Sequence, residues 1–228
     1  EYAPTDGIEA KEYRGCTSNF TVMDKYGNVI SQTQTIRNWW GSGVVIPGRG
    51  FIMNNAMADF SAKAGVRTTQ GLAYGMANAI RPGKTPLSSM SPTIVMKDGK
   101  PVLSVGAAGG PRIITSTLQL IINNLDYGMM MDSAVKHPHM CCLTLNQGLE
   151  LEEGFSPDTI KLLAAKGHII KNTTDFGELL VMPNGIRNID GTFFPGGTSR
   201  VDGGGGALTA SGTMAIDGLC FIDEKLTK

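Results

Sequence analysis

Residues 14 to 19 read RGCTSN and set three side chains able to act as nucleophiles side by side: the Cys16 thiol and the Thr17 and Ser18 hydroxyls. A hydroxyl attacks a carbonyl only after a base has drawn off its proton, and histidine is the usual base. The chain has 3 histidines. His137 and His139 flank Pro138 and His168 ends a helical segment; none has the spacing of a zinc pair, and no G-x-S-x-G elbow presents a serine. The other base within reach of a hydroxyl is a free α-amino group, whose ordinary pKa is about 7.7–8.0. A threonine that begins a chain uses its own amine to activate its own Oγ. Thr17 becomes such a residue only when the backbone is cut after Cys16, which would make residues 14 to 28 a cleavage junction followed by the first strand of a site. The competing reading is an ordinary turn before a strand, where Ser and Thr are common.

Two further stretches carry possible chemistry. VGAAGGPR, residues 105 to 112, follows a strand and opens a helix, the setting of an anion-binding turn. It matches neither G-x-G-x-x-G nor a P-loop, so nucleotide binding is disfavoured. Backbone N–H groups at Gly109 and Gly110 could stabilise an oxyanion; a tight structural turn explains the glycines equally well. In PLSSMSP, Ser88 and Ser89 could donate hydroxyls to a carboxylate, or cap the strand that begins near Thr93.

The elements that must hold these groups follow from periodicity. Alternating runs over Thr17–Asp24 and Val29–Ile36 around Tyr26-Gly27-Asn28 predict a hairpin. Its second strand places Val29, Ser31, Thr33 and Thr35 on one face and Ile30, Gln32, Gln34 and Ile36 on the other. FIMNN, residues 51 to 55, reads as a short buried strand, and residues 61 to 91 as largely irregular. PTIVMKDGKPVLSVG predicts a second hairpin around Asp98-Gly99. Pro111 then opens a helix with Ile113, Ile114, Leu118, Ile121, Ile122 and Leu125 as a broad apolar face, stopped at Asp126-Tyr127-Gly128. A weaker helix covers 132 to 136. A third has Ser156 as cap, Pro157 in the first turn and Gly167 as stop. ELLVMPNGI reads as a strand reaching a turn at Asn184-Gly185, and SRVDGGGGALTASG as a flexible tail. Two hairpins interleaved with helices predict a layered α/β or α+β sandwich.

Composition narrows the function classes. The 228 residues suit one large domain, and 20 basic against 20 acidic side chains give no electrostatic footprint for nucleic acid or an anionic membrane. The 4 cysteines, Cys16, Cys141, Cys142 and Cys220, form no C-x-x-C pair, and no apolar run reaches the length of a membrane helix. Met129, Met130 and Met131 read as packing residues. With Glu as its first residue and no signal peptide, the chain is expected to be the downstream part of something longer.

The segments TSNFTVMDKYGN, TQTI, NNAMADFS, PLSSMSPTIVMKDGKP, GAAGGPRIIT and EEGFSPDTIKLLAAKGH, in this order, resemble the small, catalytic subunit of the γ-glutamyltransferases (glutathione hydrolases), members of the N-terminal-nucleophile (Ntn) hydrolase superfamily. The resemblance covers most of residues 17 to 200 and implies an α+β, four-layer αββα sandwich completed by a large subunit. It divides the chain into residues 1–16 as the tail of the upstream piece, 17–209 as the catalytic domain and 210–228 as a C-terminal extension. It implies Thr17 as the nucleophile in place of Cys16 or Ser18, freed by autocleavage at Cys16–Thr17. Thr35 is then the threonine that orients it and Gly109 and Gly110 the oxyanion pair. Ser88 and Ser89 hold the α-carboxylate of the substrate, and Asp59 receives its α-amino group. The implied activity is hydrolysis of γ-glutamyl amides or their transfer to an acceptor amine, with no cofactor and no metal, in a heterodimer that is periplasmic, secreted or surface-attached.

Several positions depart from the family pattern: Ser18 stands for Thr, Asn19 for the common His, Arg37 for Asn and Ala56 for Gln. The last two ordinarily help bind the α-ammonium, and an arginine repels an ammonium and attracts a carboxylate. The alternatives carried alongside are an Ntn acylase or γ-polyglutamate-cleaving relative that takes another acidic acyl group, with Arg37 reading it, and an unprocessed, inactive precursor.

Overall fold

In the computed structural model, the residues described are 17–63, 65–66, 74–144, 148–171, 181–200, 204–208 and 214–217; for 207–208 and 214–217 the backbone alone is described. Cys16 and the upstream segment lie outside them, as does nearly all of the 210–228 extension. The chain starts as expected with an antiparallel hairpin, β1 (Thr17–Met23) and β2 (Val29–Thr35). Asp24 shapes its turn by accepting from the backbone N–H groups of Tyr26 and Asn28 at 2.8 and 2.9 Å, with Gly27 at φ 88°. The register sets Thr17 opposite Thr35, Asn19 opposite Thr33 and Thr21 opposite Ser31. One face of this hairpin is therefore a patch of small polar side chains, half-buried, while Phe20, Val22 and Ile30 stand exposed on the other.

The second hairpin forms β3 (Thr93–Lys97) and β4 (Lys100–Ala108), and the sheet grows to the order β3-β4-β7-β8 with β7 (Met182–Ile189) and β8 (Thr192–Gly197). Asp98 and Gly99 turn the chain with φ of 49° and 74°, the pair of left-handed conformations that suits a tight hairpin. Because side chains alternate along β4, its two faces serve two layers. Leu103 and Val105 pack with Leu120, Met131, Ala134 and Val135 from α1 (Ile113–Leu125) and α2 (Met131–Lys136). Full burial of each large side chain stabilises the fold by about 1.5–3 kcal/mol. On the opposite face Thr21 Oγ1 donates to Ser104 Oγ, Ser31 Oγ donates to the Val105 carbonyl at 3.1 Å, and Asn19 lies over Gly106. Hairpin, sheet and helices thus stack as three layers, with the polar face of β1–β2 turned inward.

Four expectations are corrected. Asn184-Gly185 is no turn; β7 runs straight through it, and the reversal occurs at Asp190-Gly191, at φ 50° and 87°. Gly185 is needed for contact, since a Cβ there would meet Val105 Cγ1 at 2.7 Å and the Ser104 carbonyl oxygen at 2.8 Å. FIMNN is not a buried strand: only an isolated bridge, Val45 to Ile52, forms, and Phe51 is 52% exposed. The tail expected to be flexible contains β9 (Gly205–Leu208), paired with β10 (Met214–Asp217). In α1 the buried stripe is Ile113, Ser116, Thr117, Leu120 and Asn124, while Ile114, Leu118 and Leu125 of the expected apolar face are exposed. The face turned to the sheet thus mixes Ile113 and Leu120 with polar Ser116, Thr117 and Asn124.

The remaining elements are short. β5 (Met140–Cys141) pairs with β6 (Glu150–Leu151), Cys141 is a buried free thiol and Cys142 an exposed one. Burial pushes the Cys141 thiol above its ordinary pKa, so it stays protonated and packs as a small apolar residue. α3 (Pro157–Ala165) begins as expected, with Ser156 Oγ accepting from Thr159 N at 3.1 Å, and Gly167 follows its end at φ 92°.

Candidate active site

The hairpin register does the first piece of positioning. With Thr17 opposite Thr35 on the inward face, Thr17 Oγ1 donates to Thr35 Oγ1 at 3.1 Å. Thr35 Oγ1 also accepts from the backbone N–H of Arg37 at 2.8 Å. Arg37 itself sits at φ 75°, which bends the chain away immediately after β2 ends. Two donors converge on one hydroxyl oxygen, so the Thr17 side chain is held in a defined rotamer at the start of its strand.

The side chain after next holds the strand in place. Asn19 Nδ2 donates to the Gln32 carbonyl at 2.9 Å and to Thr33 Oγ1 at 2.6 Å, and the Asn19 carbonyl accepts from Asn184 Nδ2 at 2.9 Å. Asn19 Oδ1 and Asn184 Oδ1 are buried without a hydrogen-bond partner. Beside them lies a cavity of about 370 Å³ whose walls include Thr17, Asn19, Ala108, Asn184 and Gly197. Thr17 and the end of β4 therefore face a common space.

Ala108 is followed by the glycine pair. Gly109 and Gly110 have φ of 141° and 61°, conformations that side-chain-bearing residues rarely adopt. The Gly109 carbonyl accepts from Arg112 N at 3.3 Å and the Gly110 carbonyl from Ser89 Oγ at 2.9 Å. The turn expected from VGAAGGPR is thus present, and Ser89 is brought to it, while Ser88 Oγ accepts from Met90 N at 3.2 Å. Arg112 carries the turn into α1 and forms a two-point ion pair with Glu150, at 2.8 and 3.1 Å. Glu150 is buried, which works against its charge, but the hydrogen bonds from Arg112 and Lys171 outweigh burial and hold the carboxyl below the usual carboxylate range. The Arg112–Glu150–Lys171 group was not anticipated from sequence.

Asp59 ends a 3₁₀ turn, Ala56–Asp59, and its Oδ1 accepts from Arg37 Nε at 2.7 Å. The Arg37 guanidinium also donates to Asn38 Oδ1 at 3.1 Å and to the Ala58 carbonyl at 3.4 Å. Two of the sequence-derived candidates, Arg37 and Asp59, are therefore bound to each other. Tyr74 lies within the field of this pair; burial first, then the Asp59 charge, raise its phenol pKa, so it stays protonated.

A second buried charge cluster, also missed in the sequence, joins the segment after β8 to the end of α2 and to the β5–β6 pair. Arg200 Nε donates to Glu152 Oε1 at 2.6 Å, its Nη1 to the Val135 carbonyl at 2.7 Å and its Nη2 to the His137 carbonyl at 2.9 Å. His139 N donates to Glu152 Oε2 at 2.6 Å, and His139 Nδ1 lies 3.0 Å from Arg200 Nη2. Burial, with the Arg200 charge beside it, lowers the His139 pKa to about 3. The imidazole is neutral and Nδ1 accepts from the guanidinium. The local sign of both clusters is the acidic run Leu149-Glu150-Leu151-Glu152-Glu153, in which Glu150 and Glu152 are buried while Glu153 is exposed.

Comparison with known proteins matches residues 1–203 to the family model described as gamma-glutamyltranspeptidase. The glutathione hydrolase proenzyme of Escherichia coli is 46% identical over 172 residues, 74% of this chain and 30% of that protein. The acylase ACY 1 proenzyme of a Pseudomonas strain is 36% identical over 207 residues, 90% of this chain and 34% of the relative. A solved mutant of Helicobacter pylori gamma-glutamyltranspeptidase superposes with a TM-score of 0.72 at 39% identity, covering 80% of this chain and 99% of that one. The chain spans about a third of the length of the curated relatives it matches.

Proposed function

Because the chain belongs to the gamma-glutamyltranspeptidase family, with its Ntn-hydrolase fold, we propose that it is the catalytic part of an acyl-transfer enzyme that acts on γ-glutamyl-type amides through Thr17. The observation that carries this reading is the hydrogen bond of 3.1 Å from Thr17 Oγ1 to Thr35 Oγ1, made on the inward face of the hairpin next to the cavity. In the precursor, Thr17 Oγ attacks the carbonyl of Cys16; the backbone nitrogen of Thr17 leaves and water resolves the resulting ester. The freed amine is then the base. It accepts the Oγ proton, Oγ attacks the donor carbonyl, and the tetrahedral oxyanion rests on the N–H groups of Gly109 and Gly110. An oxyanion donor of this kind contributes about 10²–10³ in rate. The protonated amine passes its proton to the departing nitrogen. Water completes hydrolysis, or an amino group completes transpeptidation.

Ser88 and Ser89 are assigned to the donor carboxylate, and the Ser89 bond to the Gly110 carbonyl links that subsite to the oxyanion turn. The Arg112–Glu150 pair keeps the same turn from opening. A large subunit cut from the same precursor is the expected partner. The exposed Phe20, Val22 and Ile30 face of the hairpin is where it would complete the fourth layer of the sandwich.

The test is Thr17→Ala in the full precursor, read by intact mass, N-terminal sequencing and release of p-nitroaniline from a γ-glutamyl anilide. The expected result is a chain that stays joined at Cys16–Thr17 and does not turn over. A variant that is still cut there, or still active, overturns the assignment.

A further inference from the structure

We propose that the Arg37–Asp59 ion pair makes the acyl site selective for donors that end in a carboxylate and carry no ammonium beside it, so that glutaryl-type amides are preferred to γ-glutamyl amides. The inference rests on the reading of Thr17 as nucleophile and of Asp59 as lying at the donor's far end, and concerns what that end accepts.

The two acyl groups are close isosteres. Both run five carbons from the scissile carbonyl to a terminal carboxylate, and they differ only in whether the carbon next to that carboxylate bears an ammonium or a hydrogen. Selectivity between them therefore depends on what the protein offers the ammonium. In this chain the carboxylate that could receive it is already engaged. Asp59 Oδ1 accepts from Arg37 Nε at 2.7 Å, with the side chains 10% and 31% exposed. The pair is neutral in sum, so an incoming ammonium meets a guanidinium instead of an uncommitted negative charge.

The guanidinium cannot simply swing aside. Asn38 Oδ1 and the Ala58 carbonyl hold its other nitrogens, and the Arg37 backbone N–H is bonded to Thr35 Oγ1, the same oxygen that accepts from Thr17. The ion pair is thus tied to the nucleophile through a single residue. Among the described residues the two nearest candidates supply no acceptor charge. The 3₁₀ turn that delivers Asp59 begins with Ala56, whose side chain is a methyl group, and Tyr74 is held in its neutral, protonated form. A donor without the ammonium leaves the Arg37–Asp59 pair intact and presents only its carboxylate, for the Ser88 and Ser89 hydroxyls to take. The reaction balances as ordinary amide hydrolysis: the C–N bond breaks, the acyl group passes to Thr17 Oγ, the amine leaves with a proton, and water releases the dicarboxylic acid.

The experiment compares kcat/KM for glutaryl- and γ-glutamyl-p-nitroanilide in the matured wild type, in Arg37→Asn and in Arg37→Lys. Asparagine tolerates the left-handed backbone at this position and frees Asp59; lysine keeps the charge. Wild type is expected to favour the glutaryl donor. Arg37→Asn should move the ratio toward γ-glutamyl by about tenfold or more, and Arg37→Lys should keep the wild-type preference. Calorimetric titration of the wild type and Arg37→Asn with glutarate and with L-glutamate reads the same selectivity without turnover. Binding that follows the expected order in a protein that cleaves neither anilide supports the selectivity and refutes the Thr17 reading. A wild-type preference for γ-glutamyl and L-glutamate, or a preference that Arg37→Asn leaves unmoved, overturns the inference while leaving the Thr17 reading standing.

Discussion

Gly106 faces β1 from near the end of β4, and replacing it with alanine tests whether the close approach of the two layers positions Thr17. A Cβ built there lies 2.2 Å from Asn19 Nδ2 and 2.6 Å from both Asn19 Cγ and Oδ1. The amide cannot rotate away cheaply, since Nδ2 is held by the Gln32 carbonyl at 2.9 Å and Thr33 Oγ1 at 2.6 Å. Either those bonds break or β1 lifts off β4. Overpacking plus the loss of one part-buried hydrogen bond costs about 2–4 kcal/mol. Thr17 is on the same strand and the same face as Asn19, and a displacement of about 1 Å at the reacting atom costs about 100-fold in rate. Urea unfolding and kcat/KM on an anilide donor measure both effects in the matured enzyme. Gly75→Ala is the control: a Cβ there meets nothing within 4 Å, and its φ is −83°, so stability and rate should hold. Adding Asn19→Ala removes the obstruction, so the double variant should be no less stable than Asn19→Ala alone, with a coupling of at least about 1 kcal/mol. Gly106→Ala with unchanged stability and rate, or strictly additive costs in the double variant, would refute the reasoning.

Thr35→Val removes the hydroxyl that receives both Thr17 Oγ1 and Arg37 N while keeping the β-branched shape; kcat should fall by about 10²-fold, with KM changed far less, as steady-state kinetics on one donor will check. His139 bears on acid stability. Its folded pKa of about 3 lies below the unfolded value of about 6.5, so below pH 6.5 the unfolded chain binds a proton that the folded one refuses. Stability from this residue is complete above that pH and falls, by up to about 1.4 kcal/mol per unit, as pH drops from about 6.5 toward 3. His139→Gln should flatten that part of the stability profile in denaturant titrations across the window.

What the sequence disclosed was local. Asp98-Gly99 between alternating runs, the Thr17–Ile36 alternation, Pro111 before an apolar helix and the Ser156 cap each act within a few residues, and each formed its element. Asn184-Gly185 carries the same local signal as a turn. Its glycine, however, answers to Val105 and Ser104 on the neighbouring strand, and nothing near it in sequence reveals that. The glycines of 204–206 misled in the same way: a Cβ on Gly197 would meet the Gly204 backbone at 2.4 Å, so bare backbone there permits close packing of strands. Arg112 with Glu150, and Glu152 with Arg200, are separated by 38 and 48 residues, and buried carboxylates at alternate positions of LELEE announce that cations are needed without saying which. Of the candidate site, Thr17, Thr35 and the glycine turn were visible as residues. The engagement of Arg37 with Asp59 required the fold.

Position 37 touches Thr35 through its main chain and Asp59 through its side chain. Any residue but proline carries the N–H for the first contact, and the φ of 75° narrows the choice to residues that tolerate the left-handed region, whereas the second contact depends on side-chain identity. The fold thus fastens Thr35, the partner of the Thr17 hydroxyl, through the peptide group of residue 37, so the side chain there is not what holds that hydroxyl. A replacement at position 37 would thus alter the charge beside Asp59 and leave the Thr17–Thr35 hydrogen bond in place.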